Sequence, residues 1–219
     1  MMMPSMWKKV VCFDLDDTLY KEIDYLQSAF REIASFVGHP EIVPQMMRWY
    51  RDGKNVFLEL NKVICKRTDI SQFFSIYRNH YPTISLSEGV EVTLNELKYR
   101  GVTLGLITDG RSVSQRNKIK ALGLNRWFES DNIIISEEFG SEKTNPKNFC
   151  YFIERFPAAN FAYVGDNPRK DFIVPNMLMW DTFMLKDDGR NIHKQDNAHK
   201  FYIPQITISK IEELLYYIK

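Results

Sequence analysis

Short, nearly continuous apolar runs punctuate the chain: Val10-Val11-Cys12-Phe13, Val102 to Ile107, Ile133 to Ile135, Phe161 to Val164, and Thr182 to Leu185. They lack a sustained apolar–polar alternation, so each predicts a strand covered on both faces. Between these runs the period lengthens to that of a helix. Ser87 can cap a helix in which Val90, Leu94 and Leu97 share a face, ended by Gly101. Ser112 to Leu122 predicts a second, stopped by Gly123. Asn145-Pro146 opens a third, with proline at a tolerated first-turn position and Phe149, Phe152 and Ile153 facing inward. Residues 209–218 predict a closing amphipathic helix. This alternation implies an α/β fold, a Rossmann-like doubly wound parallel sheet.

One interval breaks the rhythm. From Asp14 to Thr108 the chain is far longer than the ~30 residues of a βαβ unit. The surplus, roughly Tyr20 to Leu86, has helical faces at Leu26, Phe30, Ile33 and Val37, at Phe57, Leu58, Val63 and Ile64, and at Phe73, Phe74 and Tyr77. The expected organisation is an α/β core from residues 1–19 and 87–219, with a small all-α domain inserted at 20–86.

Composition narrows the class. With 44% apolar and 14% aromatic residues the chain is not a disordered one. A net charge of +1 provides no global field to recruit nucleic acid or an anionic membrane. Cys12, Cys65 and Cys150 form neither a zinc pattern nor a disulfide framework, and fit small buried hydrophobes in a reducing compartment. The opening apolar run is cut short by Asp14, unlike a signal peptide, and no stretch approaches the ~18 apolar residues of a membrane span. A cytoplasmic protein is the expectation.

The candidate chemistry lies where strands end. The first strand runs directly into Asp14-Leu15-Asp16-Asp17-Thr18. In open α/β sheets ligands bind beyond the carboxyl ends of the strands. Like charges as close as Asp14 and Asp16 call for a cation or a shared proton. The pattern repeats: Val102 to Ile107 ends in Thr108-Asp109-Gly110, a hydroxyl and backbone N–H groups suited to an anion, and Phe161 to Val164 ends in Gly165-Asp166-Asn167-Pro168, followed by Asp171. Lys143 lies between the two. Asp14 and Asp166 would hold a hard cation such as magnesium, while Thr108, backbone N–H groups and Lys143 would surround a phosphate.

In these residues the chain resembles the haloacid dehalogenase-like hydrolases, phosphatase branch. The family's DxDx[TV] motif matches Asp14-Leu15-Asp16-Asp17-Thr18, and its strand ending in Ser or Thr matches Leu106-Ile107-Thr108-Asp109-Gly110. The lysine motif, usually KPxP, reads Lys143-Thr144-Asn145-Pro146, with Lys147 as the competing lysine. The last, GDxxxD-like, matches Gly165 to Asp171. The four stand in the family's order, and the likeness covers residues 9–190.

The resemblance implies a two-step phosphoryl transfer on a small phosphorylated metabolite. Asp14 would be the nucleophile and Asp16 the general acid and base. Thr108, Asp109, Gly110 and Lys143 would bind the phosphoryl oxygens. Mg2+ would bridge Asp14, the main-chain carbonyl of Asp16, and Asp166, with Asp171 ligating through water or orienting Lys143. Asp17 would be structural. The presence of Asp16 argues for phosphate rather than halide chemistry, since displacing a halide needs no leaving-group proton.

The resemblance also implies that the helical insertion closes over the site as a cap, with Arg48, Trp49, Tyr50, Arg51, Lys54 and Asn55 as candidate substrate contacts and packing or solvated faces as their simpler roles. Arg111 is a further candidate. His193 and His199 flank Asp196 in no common metal spacing, His39 and His80 belong to turns, and Met46, Met47, Met177 and Met179 are expected to pack. The leading expectation is a phosphatase of a sugar phosphate or nucleoside monophosphate. A phosphomutase of the same family is the near alternative, and a non-catalytic phospho-acceptor or ligand-binding module the distant one. Oligomeric state is left open.

Overall fold

A computed structural model describes residues 8–64, 68–196 and 200–219; Cys65 and His199 lie outside the described residues. Six strands form one parallel sheet: β1 (Lys9–Phe13), β2 (Thr103–Thr108), β3 (Ile133–Ile135), β4 (Asn160–Gly165), β5 (Asp181–Leu185) and β6 (Ile206–Ile208). Their spatial order is β3-β2-β1-β4-β5-β6, and every neighbouring pair is parallel. The chain winds outward from β1 through β2 to β3, then crosses back to β4 on the other side of β1. That reversal opens a crevice at the carboxyl ends of β1 and β4, where such folds bind ligands.

The helices are α1 (Glu22–Phe36), α2 (Val43–Arg51), α3 (Val56–Val63), α4 (Ile70–Asn79), α5 (Glu88–Tyr99), α6 (Ser112–Ala121), α7 (Ser136–Phe139), α8 (Lys147–Arg155), α9 (Ile173–Met177) and α10 (Leu214–Tyr217). The lack of alternation in the strands now has its cause. Val11 and Phe13 of β1 join Leu94, Leu97, Ile119 and Leu214 in one apolar layer, while Val10 and Cys12 join Phe149, Phe152 and Trp180 in another. Successive side chains of a strand point to opposite faces, so a sheet buried on both sides needs apolar residues at every position.

Helices α1 to α4 form the insertion, built around a core of their own from Leu26, Phe30, Ile33, Met46, Trp49, Leu60 and Phe73. Asn55 starts α3 by accepting from the Leu58 N–H at 3.1 Å, and Asp69 starts α4 by accepting from Ser71 N–H at 3.0 Å. Three of the expected inward residues, Leu58, Val63 and Phe74, face outward, because the buried stripe of each short helix runs through Leu60 and Phe73 instead.

Two other expectations are corrected. Residues 209–218 are not one helix: a 3-10 turn over Ile211–Glu213 leads into the single turn α10, and the strand β6 just before them has only three residues. Met177 and Met179 do not pack, Met179 being 90% exposed with a positive φ of 58°. Of the described residues, no helix is long and apolar enough to cross a membrane.

Candidate active site

Beyond the ends of β1, β2 and β4, a cleft of about 110 Å³ is lined by Asp14, Asp16, Asp17, Glu22, Asp109, Lys143, Asp166, Asn167, Lys170 and His193. Asp14 is the first residue past β1, and its N–H still reaches the Val164 carbonyl at 2.8 Å, so the strand pairing sets its place. Asp17 turns the chain with a φ of 56°. Its carboxylate accepts from Glu22 N–H at 2.9 Å and Ile192 N–H at 2.8 Å, so it ties the loop to the start of α1 and to the segment after β5.

Lys143 is the positive centre. Its ammonium lies 2.6 Å from Asp14 Oδ1 and 2.8 Å from Asp171 Oδ1, fully inside the protein. Its own N–H donates to Asp109 Oδ1 at 3.0 Å, which anchors the lysine segment to the end of β2. Burial works against this ammonium, but Asp14 and Asp171 outweigh it and hold its pKa well above the ordinary lysine value. Lys147 points elsewhere, with its ammonium 3.2 Å from the Phe139 carbonyl and over the Phe139 ring.

Asp171 organises the opposite wall. Its Oδ2 accepts from the N–H groups of Asp166 at 3.1 Å and Asn167 at 2.8 Å. Gly165 makes this possible: a Cβ there would stand 2.5 Å from Asp171 Oδ2, so only glycine lets the carboxylate approach so closely.

Carboxylate oxygens of Asp14, Asp166 and Asp171 lie within 4.8 Å of one another. Burial pushes the Asp14 carboxyl up to about 8 in spite of Lys143. Burial, then the charges of Asp171 and Asp14, push Asp166 up to about 9. Three buried carboxyl groups share one ammonium, so ionising all of them would leave negative charge in excess, which is why Asp14 and Asp166 hold protons when no cation is bound. The donor set is all oxygen. Both features fit a hard divalent cation such as magnesium. Both Asp171 oxygens are already engaged, one by Lys143 and the other by two N–H groups, which leaves Asp14 and Asp166 as the more available direct donors.

Asp16 is held differently. Its Oδ1 accepts from Lys118 Nζ at 2.7 Å and from the Tyr20 hydroxyl, and its Oδ2 from Gln115 Nε2 at 2.9 Å. Burial alone would raise its pKa, but Lys118 and these hydrogen bonds prevail and keep it below the usual carboxylate range. Glu22, beside it, is pushed up to about 8 by burial and by the Asp16 charge.

The other sequence candidates are distributed unevenly. Thr108 is buried at the end of β2, where its hydroxyl accepts from Gln115 Nε2 at 2.6 Å; it does not line the cleft. Gly110, whose N–H donates to Ser136 Oγ at 2.9 Å, and Arg111 line a neighbouring hollow. Trp49 packs in the core of the insertion, and Arg48 and Arg51 are exposed. Tyr50, Lys54 and Asn55 line a groove in the insertion with Phe57, Tyr77 and Arg78.

Gln115, Lys118, Tyr20, Glu22 and Asn191, which donates to Asp166 Oδ2 at 2.9 Å, were not singled out from the sequence. A signal existed for two of them. Gln115, Lys118, Ile119 and Leu122 recur at the spacing of one helical face, so a glutamine and a lysine occupy inward positions of α6.

The comparisons agree with this architecture. Haloacid dehalogenase-like hydrolase is the family that matches residues 11–174, and the chain belongs to it. It is therefore a hydrolase by family. The chain is 31% identical over 235 residues to a glyceraldehyde 3-phosphate phosphatase of Methanocaldococcus jannaschii, covering 96% of this chain and 97% of that one. It is 35% identical over 105 residues to a phosphoserine phosphatase of Thermus thermophilus, covering 47% and 40% of the two chains. The fold matches that of the magnesium-bound HAD-hydrolase YfnB of Bacillus subtilis with a TM-score of 0.71 at 21% identity, covering 97% and 99%.

Proposed function

We propose that this hydrolase is a magnesium-dependent phosphatase of small phosphomonoesters, a sugar phosphate or nucleoside monophosphate, working through an aspartyl phosphate on Asp14. The observation that carries the reading is the convergence of Asp14, Lys143 and Asp166, with Asp171 buried behind them, at a cleft that Asp16 also lines. The names of the full-length relatives support a small phosphate ester. The modest size of the cleft is consistent with a phosphoryl group bound there and the rest of the substrate lying outside it.

In the first step an Asp14 oxygen attacks phosphorus while the ester P–O bond breaks. Asp16, which Lys118 and its hydrogen bonds hold as the anion in the free protein, takes up a proton as the phosphomonoester binds and passes it to the departing oxygen. In the second, water attacks the aspartyl phosphate, Asp16 takes a proton from it, and the Asp14–phosphorus link breaks to release inorganic phosphate. Lys143 stabilises the phosphoryl oxygens, and the Thr108–Gly110 segment would reach them through Asp109, the part of it that lines the cleft. Asp14, Asp166 and the Asp16 carbonyl would hold magnesium, which when bound supplies positive charge against the phosphoryl oxygens and the crowded carboxylates. Residues 20–86 act as a cap over the core formed by 1–19 and 87–219, excluding water and selecting the leaving group.

The test is phosphate release from sugar phosphates, nucleotides and an aryl phosphate, with and without magnesium, beside Asp14→Asn. Magnesium-dependent release that is lost in the variant is expected. Transfer of the phosphoryl group to a second hydroxyl, with no free phosphate, would make the protein a mutase instead.

A further inference from the structure

Helix α6 begins four residues after β2 ends, so its first turns stand beside the cleft. Two of its inward positions, Gln115 and Lys118, carry polar groups that are 2% and 4% exposed. Positions three apart share a helix face, and here both side chains end on the same carboxylate. Lys118 Nζ is 2.7 Å from Asp16 Oδ1, and Gln115 Nε2 is 2.9 Å from Asp16 Oδ2. The same Gln115 amide reaches Thr108 Oγ1 at 2.6 Å and the Asp109 carbonyl at 3.3 Å. From the other side the Tyr20 hydroxyl donates to Asp16 Oδ1.

We propose that Gln115 and Lys118 are positioning residues that clamp the Asp16 carboxylate in one place relative to the Thr108–Asp109 segment. The inference rests on the phosphatase reading, in which Asp16 moves both protons. Charge compensation of the partly buried Asp16 needs only the ammonium, and a donor on its second oxygen satisfies that oxygen's lone pairs. Neither need requires that donor to be tied as well to the Thr108 hydroxyl and the Asp109 carbonyl at the end of β2. Tyr25 lies under the Lys118 ammonium with its ring centre 4.4 Å away, which helps hold the ammonium in place against Asp16. A fixed carboxylate matters because a proton passes efficiently only across hydrogen-bond distance, and Asp16 must serve two different oxygens in turn: the ester oxygen as its P–O bond breaks, and the attacking water as its bond to phosphorus forms.

The clamp predicts an effect that depends on the leaving group. Nitrophenolate departs without a proton, whereas an alkoxide needs one. The experiment uses the full-length protein with magnesium, para-nitrophenyl phosphate and glycerol phosphate, and the variants Gln115→Ala, Lys118→Met and Lys118→Arg. Gln115→Ala removes one donor while leaving the ion pair in place, so it tests the clamp even where Lys118→Met fails to fold. For glycerol phosphate, Gln115→Ala and Lys118→Met are expected to lower kcat by about tenfold to a hundredfold, with KM changed by less than about threefold. For the aryl ester the pre-steady-state burst of nitrophenolate should keep its rate and amplitude while steady turnover falls, because water still has to lose its proton. Lys118→Arg should recover part of the kcat on glycerol phosphate.

Burst rate and glycerol phosphate kcat falling together would mark general damage and overturn the proposal. So would unchanged kinetics in a folded Gln115→Ala protein. Faster turnover would mean that the pair restrains Asp16 rather than presents it, and would overturn it as well. Absence of magnesium-dependent release by the unaltered protein on both substrates would sink the phosphatase reading and the clamp with it, whereas normal release with an indifferent Gln115→Ala sinks the clamp alone.

Discussion

Lys143 and Lys147 are four residues apart, yet their surroundings differ completely. Removing the Lys143 ammonium would leave Asp14 and Asp171 buried without their cation, and breaking a buried pair from one side costs about 3–5 kcal/mol. Lys143→Ala is therefore expected to lose that much stability in urea titrations together with phosphate release. Lys147→Ala, which gives up a carbonyl and a ring contact at the surface, should stay within about 0.5 kcal/mol and keep its activity. The opposite order would relocate the phosphate-binding lysine. Gly165→Ala forces a Cβ against the Asp171 carboxylate, so it should weaken magnesium binding, measured by calorimetry, while β4 still forms. Unchanged affinity would show that Asp171 has room to shift. At this scale the acidic strand ends were legible, because Asp14 and Asp166 interrupt apolar runs. Glu22 was not, because a polar side chain on a helix reads as solvated until the helix is placed against its neighbour, and Gln115 and Lys118 were marked only by sharing a helical face with Ile119 and Leu122.

Elements differ in how local their causes are. The helices α5, α6 and α8 start and stop within a residue or two of the positions expected from Ser87, Gly101, Ser112, Gly123 and Pro146, since caps and breakers act within one turn. The strand β6 is not legible in the sequence because Thr207 separates Ile206 from Ile208, unlike the unbroken apolar run Ile133 to Ile135 of β3, and Ile206 to Ile208 become a strand only by pairing with Phe183 to Leu185. The same pairing places Ser209 and Lys210, whose N–H groups bond to Glu213 at 3.1 and 3.0 Å, and this shortens the closing helix. In the insertion, separate cores predict separate opening. Phe73→Ala removes a ring that is fully buried among α1 to α4, at a cost of about 3–5 kcal/mol. Hydrogen exchange should then accelerate in α1 to α4 while β1, β2 and β4 stay protected. Equal acceleration in the sheet would mean that insertion and core unfold as one unit.

For the whole molecule, the crowded carboxylates link stability to pH and to cations. Asp14 and Asp166 rise from an ordinary 3.8 to about 8 and about 9 without a bound cation. The folded chain thus binds these protons more tightly than the unfolded chain. Their contribution is complete below the ordinary carboxyl pKa and is lost as pH rises through about 8 to 9. In a chelator, the melting temperature is expected to fall between pH 6 and pH 9.5, less steeply in Asp166→Asn. Added magnesium should restore more at pH 9 than at pH 6, because it replaces the protons. A flat melting profile in chelator would remove the argument that the site holds excess negative charge.

The sequence by itself determined the alternation of strands and helices, the inserted helical segment and the acidic ends of β1 and β4. Each of these is written in neighbouring residues through periodicity, caps and breaks in apolar runs. Only the tertiary structure decided the rest. It brought Asp16 to Lys118 and Gln115, and Lys143 to Asp14 and Asp171. It also exposed Leu58, Val63 and Phe74 and made Ile206 to Ile208 a strand. These outcomes depend on which surfaces meet across the fold. Burial, ion pairing and sheet registry come into being only when residues far apart in the chain share the same low-dielectric space.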